Sequence, residues 1–264
     1  MVFLLGEIVS VVSGKGGVGK TTIALNVAAA LKKMGYESIV VEGNVTSPTA
    51  SLYLGYMPAH RTINNVLNGD FALDEVILEH DSGVKLVTCS LALPELAANY
   101  NKAFTMLRKL KEKADLVLVD AGAGLGEEAR SAIDISDFVL VVTNPEMPSV
   151  IDALRCVRLA RAMKKKVLGI VVNRVNVSLP QVPVKEIEEI AEAPVLAEIR
   201  EDRAVHESFS YNFPVTHFRP NSRAGNEISR LAALLVGEEF QSKENSFLDR
   251  LNFWLHRVKI KALP

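Results

Sequence analysis

Residues 14 to 21, Gly14-Lys15-Gly16-Gly17-Val18-Gly19-Lys20-Thr21, carry the spacing G-x-x-x-x-G-K-[ST]. Glycines at these intervals let successive backbone N–H groups turn inward around phosphate oxygens, because a residue without Cβ tolerates both the turn and the close approach. Lys20 adds a point charge on the β/γ oxygens, and Thr21 adds a hydroxyl suited to Mg²⁺. The segment predicts a nucleotide gripped by its phosphates, with Gly14, Lys15, Gly16, Gly17, Val18 and Gly19 as the cradle.

The same letters hold a rival. Gly14-x-Gly16-x-x-Gly19 is also a dinucleotide fingerprint, and Glu42 falls about twenty residues on, at the end of an apolar run. Lys20-Thr21 separates the two, since a dinucleotide site has no use for them, and so does a second acidic strand end at Asp120. Asp120 closes Leu116-Val117-Leu118-Val119 and suits a carboxylate held at the mouth of a buried strand beside Mg²⁺. The run Ala121-Gly122-Ala123-Gly124-Leu125-Gly126 after it can approach a ligand closely or change shape with it.

Positioning these groups requires a sheet. Short β-branched runs at Ile8–Val12, Ser38–Val41, Val84–Thr88, Leu116–Val119, Phe138–Val142, Val167–Val172 and Val195–Ile199 read as buried strands. Helical periodicity occupies Thr21–Met34, Asn101–Lys113, Glu127–Ile135, Ser149–Met163, Val184–Ala191 and Ser222–Val236. This alternation predicts an α/β fold, a P-loop NTPase with a mostly parallel twisted sheet and helices on both faces. Ligands in such sheets sit at the carboxyl ends of strands. Glu42-Gly43-Asn44, Thr143-Asn144 and Asn173-Arg174 end strands too, with turn and cap chemistry as their plainer explanation.

A length of 264 residues suits one large domain, and a net charge of −1 provides no overall field for nucleic acid. Cys89 and Cys156 form no C-x-x-C, and none of the five histidines pairs at i, i+4, so the thiols read as reduced and no metal is expected beyond nucleotide-borne Mg²⁺. Met1 to Leu5 lacks the basic start of a signal peptide, and no run reaches eighteen apolar residues. A cytoplasmic protein is expected, free or attached to the membrane from that side.

The globular pattern, residues 1–237, stops at Gly237, and a polar linker, residues 238–245, leads to a tail over residues 246–264. On a helix, Phe247, Leu248, Leu251, Trp254, Leu255 and Val258 fall in one stripe about 120° wide. Between Asn245 and Pro264, four Lys/Arg stand against one acid. A basic polar face opposite Trp and Phe, on a slightly acidic chain, predicts an amphipathic helix for anionic lipid, with core packing or a protein partner as the alternative.

With Lys15 directly after its first glycine, the loop resembles the deviant P-loop of the MinD/ParA family of ATPases, nearest to archaeal MinD-like proteins. The likeness continues through Asp120, Val142-Thr143-Asn144-Pro145-Glu146, Val172-Asn173-Arg174, Pro214-Val215, Pro220-Asn221-Ser222 and Phe247-Leu248-Asp249-Arg250-Leu251. It implies ATP and an ATP-dependent homodimer in which Lys15 reaches the partner's phosphates. Lys20 would act in its own site and Thr22 would touch the α-phosphate. Asp120, through water, and Glu42 would hold Mg²⁺ together with Thr21. Asn173, beside Arg174, would read the adenine edge with help from the Ile199 to Asp202 loop, which includes Glu201 and Asp202. The tail would be a weak membrane anchor made effective by doubling in the dimer, with an unidentified protein partner on the dimer surface.

One departure matters. The family's usual Asp-x-Asp after the second strand is Glu42-Gly43-Asn44 here, and the later Asp-x-Pro-Ala-Gly is Asp120-Ala121-Gly122-Ala123-Gly124. Asn44 can orient the attacking water but cannot accept its proton, so slow hydrolysis is expected. Partitioning of cargo on DNA is the alternative function. The tail argues against it, because the basic residues lie beside an apolar stripe. The cysteine pattern argues against iron–sulfur relatives, and no small-substrate motif supports a ligase.

Overall fold

The computed structural model describes residues 4–43, 49–56, 61–88 and 107–240. Eight strands run β1 (Glu7–Ser13), β2 (Ser38–Gly43), β3 (Ile77–Glu79), β4 (Lys85–Val87), β5 (Leu116–Ala123), β6 (Phe138–Thr143), β7 (Lys166–Val175) and β8 (Val195–Arg200). They form one sheet in the order β3-β4-β2-β5-β1-β6-β7-β8, parallel throughout except for β3 on β4. The sheet matches the α/β reading, and the P-loop follows the central strand β1 between β5 and β6.

Helices cover both faces, which is why the central strands are apolar at nearly every position instead of alternating. They are α1 (Lys20–Lys33), α2 (Ala50–Tyr53), α3 (Ile63–Asn68), α4 (Glu127–Ile135), α5 (Met147–Ala162), α6 (Val184–Ala191), α7 (Arg203–Ser210), α8 (Val215–Phe218) and α9 (Arg223–Val236). On one face Val9, Val11, Val40, Leu118 and Leu140 pack with Ile23, Leu31, Ile228 and Leu235 of α1 and α9. On the other, Ile8, Ile39, Val41, Val117, Val119 and Val141 pack with Ala132, Val150, Val157 and Ile187 of α4, α5 and α6. The period-2 strand geometry divides the two sets. Ala24, Ala28, Ala29 and Ala30 keep α1 thin enough to be buried almost all round.

Three features differ from the sequence expectation. β3 is a short antiparallel edge, α2, α3, α7 and α8 are extra short helices, and of the helix expected over 101–113 Leu107 is helical while Arg108–Glu112 tighten into a 3₁₀ helix, with 101–106 outside the described residues. Asn44, Cys89 and the tail residues Phe247, Leu248, Leu251, Trp254, Leu255 and Val258 also lie outside them. Among the described residues no helix is long and apolar enough to cross a membrane.

Candidate nucleotide and magnesium site

The loop between β1 and α1 is held from below. Gly19 takes φ 103, and a Cβ there would collide with Asn173 Nδ2, so the turn into α1 requires glycine. Asn173 Nδ2 donates to Val18 O at 2.7 Å. Asn144, with its amide nitrogen turned to the two carbonyls, donates to Val18 O and Asn173 O, each at 3.3 Å. Two strand-end amides from β6 and β7 therefore fasten the loop carbonyl and leave its N–H groups for a ligand. Gly14 packs against α5, where an added Cβ would lie 2.6 Å from Asp152 Cβ.

Lys20 is buried, and its Nζ donates to Ser13 Oγ at 3.0 Å, while Ser13 Oγ donates to Lys15 O at 2.7 Å. Burial lowers the lysine's pKa and the Asp120 charge partly restores it. Thr21 Oγ1 donates to Asp120 Oδ2 at 2.6 Å and lies 3.2 Å from Thr49 Oγ1. Asp120 is buried, and among the described residues its Oδ1 has no hydrogen-bond partner. Desolvation lifts this carboxyl to about 6 against the Thr21 bond and the Lys20 charge.

Glu42 pairs in register with Asp120 across β2 and β5. Its carboxylate accepts from Ala50 N at 2.6 Å, Ser51 N at 3.3 Å and Ser51 Oγ at 3.2 Å. Burial raises its pKa to about 7, with Asp120 adding to the shift against the Ala50 and Ser51 bonds. Lys15 is 54% exposed and 3.9 Å from Glu146 Oε2, at the loop's outer rim. Thr22 sits half-buried on α1.

The residues expected around the base are less concentrated. Arg174 is exposed with φ 56. Asp202 caps two helices, accepting from Ala204 N of α7 at 2.9 Å and Ala224 N of α9 at 3.1 Å. Glu201 Oε2 accepts from Asn176 Nδ2 at 3.2 Å. Both line a cavity of about 830 Å³ with Arg203, Glu207, Phe218 and Arg219, whereas Asn173 belongs to the P-loop floor.

The donor set fits a magnesium nucleotide. A buried carboxylate with one orphaned oxygen lies beside a threonine hydroxyl and a buried ammonium, so the three converge on a place where a cation and phosphate oxygens would satisfy all of them. Ser13, Thr49 and Asn144 complete the setting, and of these only Asn144 carried a signal in the sequence, as a polar strand end. Among the described residues no group of three or more His, Cys, Asp and Glu could hold a metal by itself. Cys156 is a buried free thiol whose pKa burial pushes up to about 12.

The CobQ/CobB/MinD/ParA nucleotide binding domain matches residues 9–215. The chain belongs to that family. An uncharacterised ATP-binding protein of Methanocaldococcus jannaschii is 31% identical over 255 residues, covering 95% of this chain and 97% of that protein. The septum site-determining protein MinD of Pyrococcus horikoshii, solved with Mg-ADP, superposes with a TM-score of 0.81 at 30% identity, over 87% of this chain and 95% of that one. The MinC:MinD cell division complex of Aquifex aeolicus has a chain with a TM-score of 0.77 at 26% identity, over 90% and 98%. Within the family, the chain is similar to proteins named septum site-determining protein MinD, among them those of Synechocystis at 26% identity and Thermotoga maritima at 25%.

Proposed function

We propose that this chain binds ATP with Mg²⁺ and uses it to close a homodimer that attaches to an anionic membrane surface and positions a protein partner, as in division-site selection or a related task of spatial organisation. The observation that carries the nucleotide reading is the orphaned Asp120 Oδ1 beside Thr21 and Lys20 at the foot of the P-loop. Thr21 would ligate the metal and Asp120 would hold its water, as the sequence expected. The bound ion supplies charge neutralisation at the phosphates. Lys20 would bind the β/γ oxygens, and the N–H groups of Gly16 to Thr21 would orient them. Asn173 keeps the loop in this shape through Val18, and Glu201 and Asp202 would border the base and ribose.

The dimer reading rests on the rim. Lys15 projects from it, and Met147 and Ile151 on α5 are exposed large apolar residues nearby. Val177 is 81% exposed and Leu179 60% exposed, on a loop tied to the same edge by Val182 N donating to Pro145 O at 3.0 Å. Apolar side chains clustered around an exposed lysine suit a second copy carrying phosphate. Slow hydrolysis remains part of the proposal, because Asn44 lacks a carboxylate. The lipid-facing stripe would be Phe247, Leu248, Leu251, Trp254, Leu255 and Val258, on the cytoplasmic side of the membrane.

Light scattering of the full chain with Mg-ADP or a non-hydrolysable ATP analogue tests the dimer. Doubling of mass with the analogue alone is expected, and Lys15→Ala is expected to abolish doubling while nucleotide affinity stays within about threefold. A mass that ignores the nucleotide would refute the reading.

A further inference from the structure

Glu42 lies one residue before the end of β2 at the centre of the site, and three hydrogen bonds of its carboxylate go to α2, eight and nine residues further along. α2 is one turn long, and Thr49 at its start makes no side-chain cap bond. A single turn without a cap is unstable on its own, because nucleation fixes several dihedrals for one bond and leaves its first N–H groups unpaired. The Glu42 carboxylate takes the N–H groups of Ala50 and Ser51 together with the Ser51 hydroxyl. Thr49 reaches back to Thr21 at 3.2 Å, the hydroxyl proposed for Mg²⁺. On its outer side α2 stacks Tyr53 on Phe209 of α7, with ring centroids 4.2 Å apart.

We propose that Glu42 is a positioning residue that latches α2 to the sheet beneath the P-loop, and so holds Thr49 against Thr21 on the metal side of the site. Ala50 and Ser51 are held by Glu42 of β2, and Thr49, the residue before them, lies against Thr21. Glu42 therefore acts on the site through the placing of Thr49 beside Thr21, while Thr21 and Asp120 take the metal. This role rests on the nucleotide reading only for the identity of the ligand.

Two substitutions separate a latch from a metal-facing carboxylate. Glu42→Gln keeps the length: its Oε1 still accepts from both N–H groups, and its Nε2 donates to Ser51 Oγ in place of the reversed bond. Glu42→Asp keeps the charge but withdraws it by about 1.5 Å, beyond hydrogen-bond reach of Ala50 and Ser51. A latch requires the glutamine variant to work and the aspartate variant to fail; a metal-facing carboxylate requires the opposite.

The experiment is amide hydrogen exchange of the full chain, with Mg-ADP, with a Mg-bound non-hydrolysable ATP analogue and without nucleotide, beside calorimetric nucleotide affinity with Mg²⁺ and with EDTA. Ala50 and Ser51 are expected to exchange at least tenfold faster in Glu42→Asp and within threefold of the parent in Glu42→Gln. The glutamine variant is also expected to keep the Mg²⁺-dependent gain in affinity. Equal exchange in parent and Glu42→Asp, or loss of the Mg²⁺ gain in Glu42→Gln with retention in Glu42→Asp, would overturn the proposal. If no form binds nucleotide, the functional reading fails, while exchange in the nucleotide-free protein still decides the latch.

Discussion

Asp120→Asn should stabilise the nucleotide-free protein while removing its response to magnesium. Asp120 is buried, and desolvation holds its carboxyl at about 6 against an ordinary 3.8. A carboxyl with a raised pKa binds more protons folded than unfolded, so its contribution is favourable in acid and is lost as pH rises from about 4 through about 6. A gap near 2 units corresponds to roughly 3 kcal/mol at pH 8, an upper bound before water penetration and relaxation. Asparagine keeps an acceptor for Thr21, which now donates at 2.6 Å, and carries no charge to desolvate. The expected gain is about 1–3 kcal/mol at pH 8, or roughly 2–10 °C in melting temperature. At pH 4 the two proteins should melt together. Melting curves at pH 4, 6 and 8, with calorimetry of nucleotide binding with and without Mg²⁺, provide the assay. A variant less stable than the parent at pH 8, a difference that does not change with pH, or an intact magnesium response would refute the reasoning.

Gly19→Ala places a Cβ against Asn173 Nδ2 at a backbone φ of 103. It should cost about 1–3 kcal/mol and abolish nucleotide binding, as read by chemical denaturation and calorimetry. Asn173→Ala removes the 2.7 Å bond to Val18 O, leaving that carbonyl to Asn144. Nucleotide affinity should fall about tenfold with a stability loss of about 1 kcal/mol; unchanged affinity would show that the loop holds its shape without the clamp.

The P-loop was legible because its chemistry is contiguous: Gly14 to Thr21 carry their own turn, charge and hydroxyl. Asp120 was legible as well, because a lone acid closing a β-branched run stands out in a buried strand. What eluded the sequence depends on partners far along the chain. The Asn173 bond to Val18 spans 155 residues, and no local pattern shows that its amide is turned to the loop. Glu42 was expected near the metal, and only the placement of α2 reveals that its carboxylate is engaged by Ala50 and Ser51. Asp202 was expected near the base, and its bonds to Ala204 and Ala224 require both α7 and α9 to be in place. β3 escaped because three residues are too few for a period.

The most direct test of the proposed function is co-sedimentation of the full chain with vesicles rich in anionic lipid, in Mg-ADP or a Mg-bound non-hydrolysable ATP analogue, beside a chain ending at Glu244. Pelleting of the full chain in the analogue alone, and of the shorter chain in neither state, is the expected result. Pelleting that is equal in both nucleotides, retained without the tail, or absent altogether would contradict an ATP-switched membrane attachment.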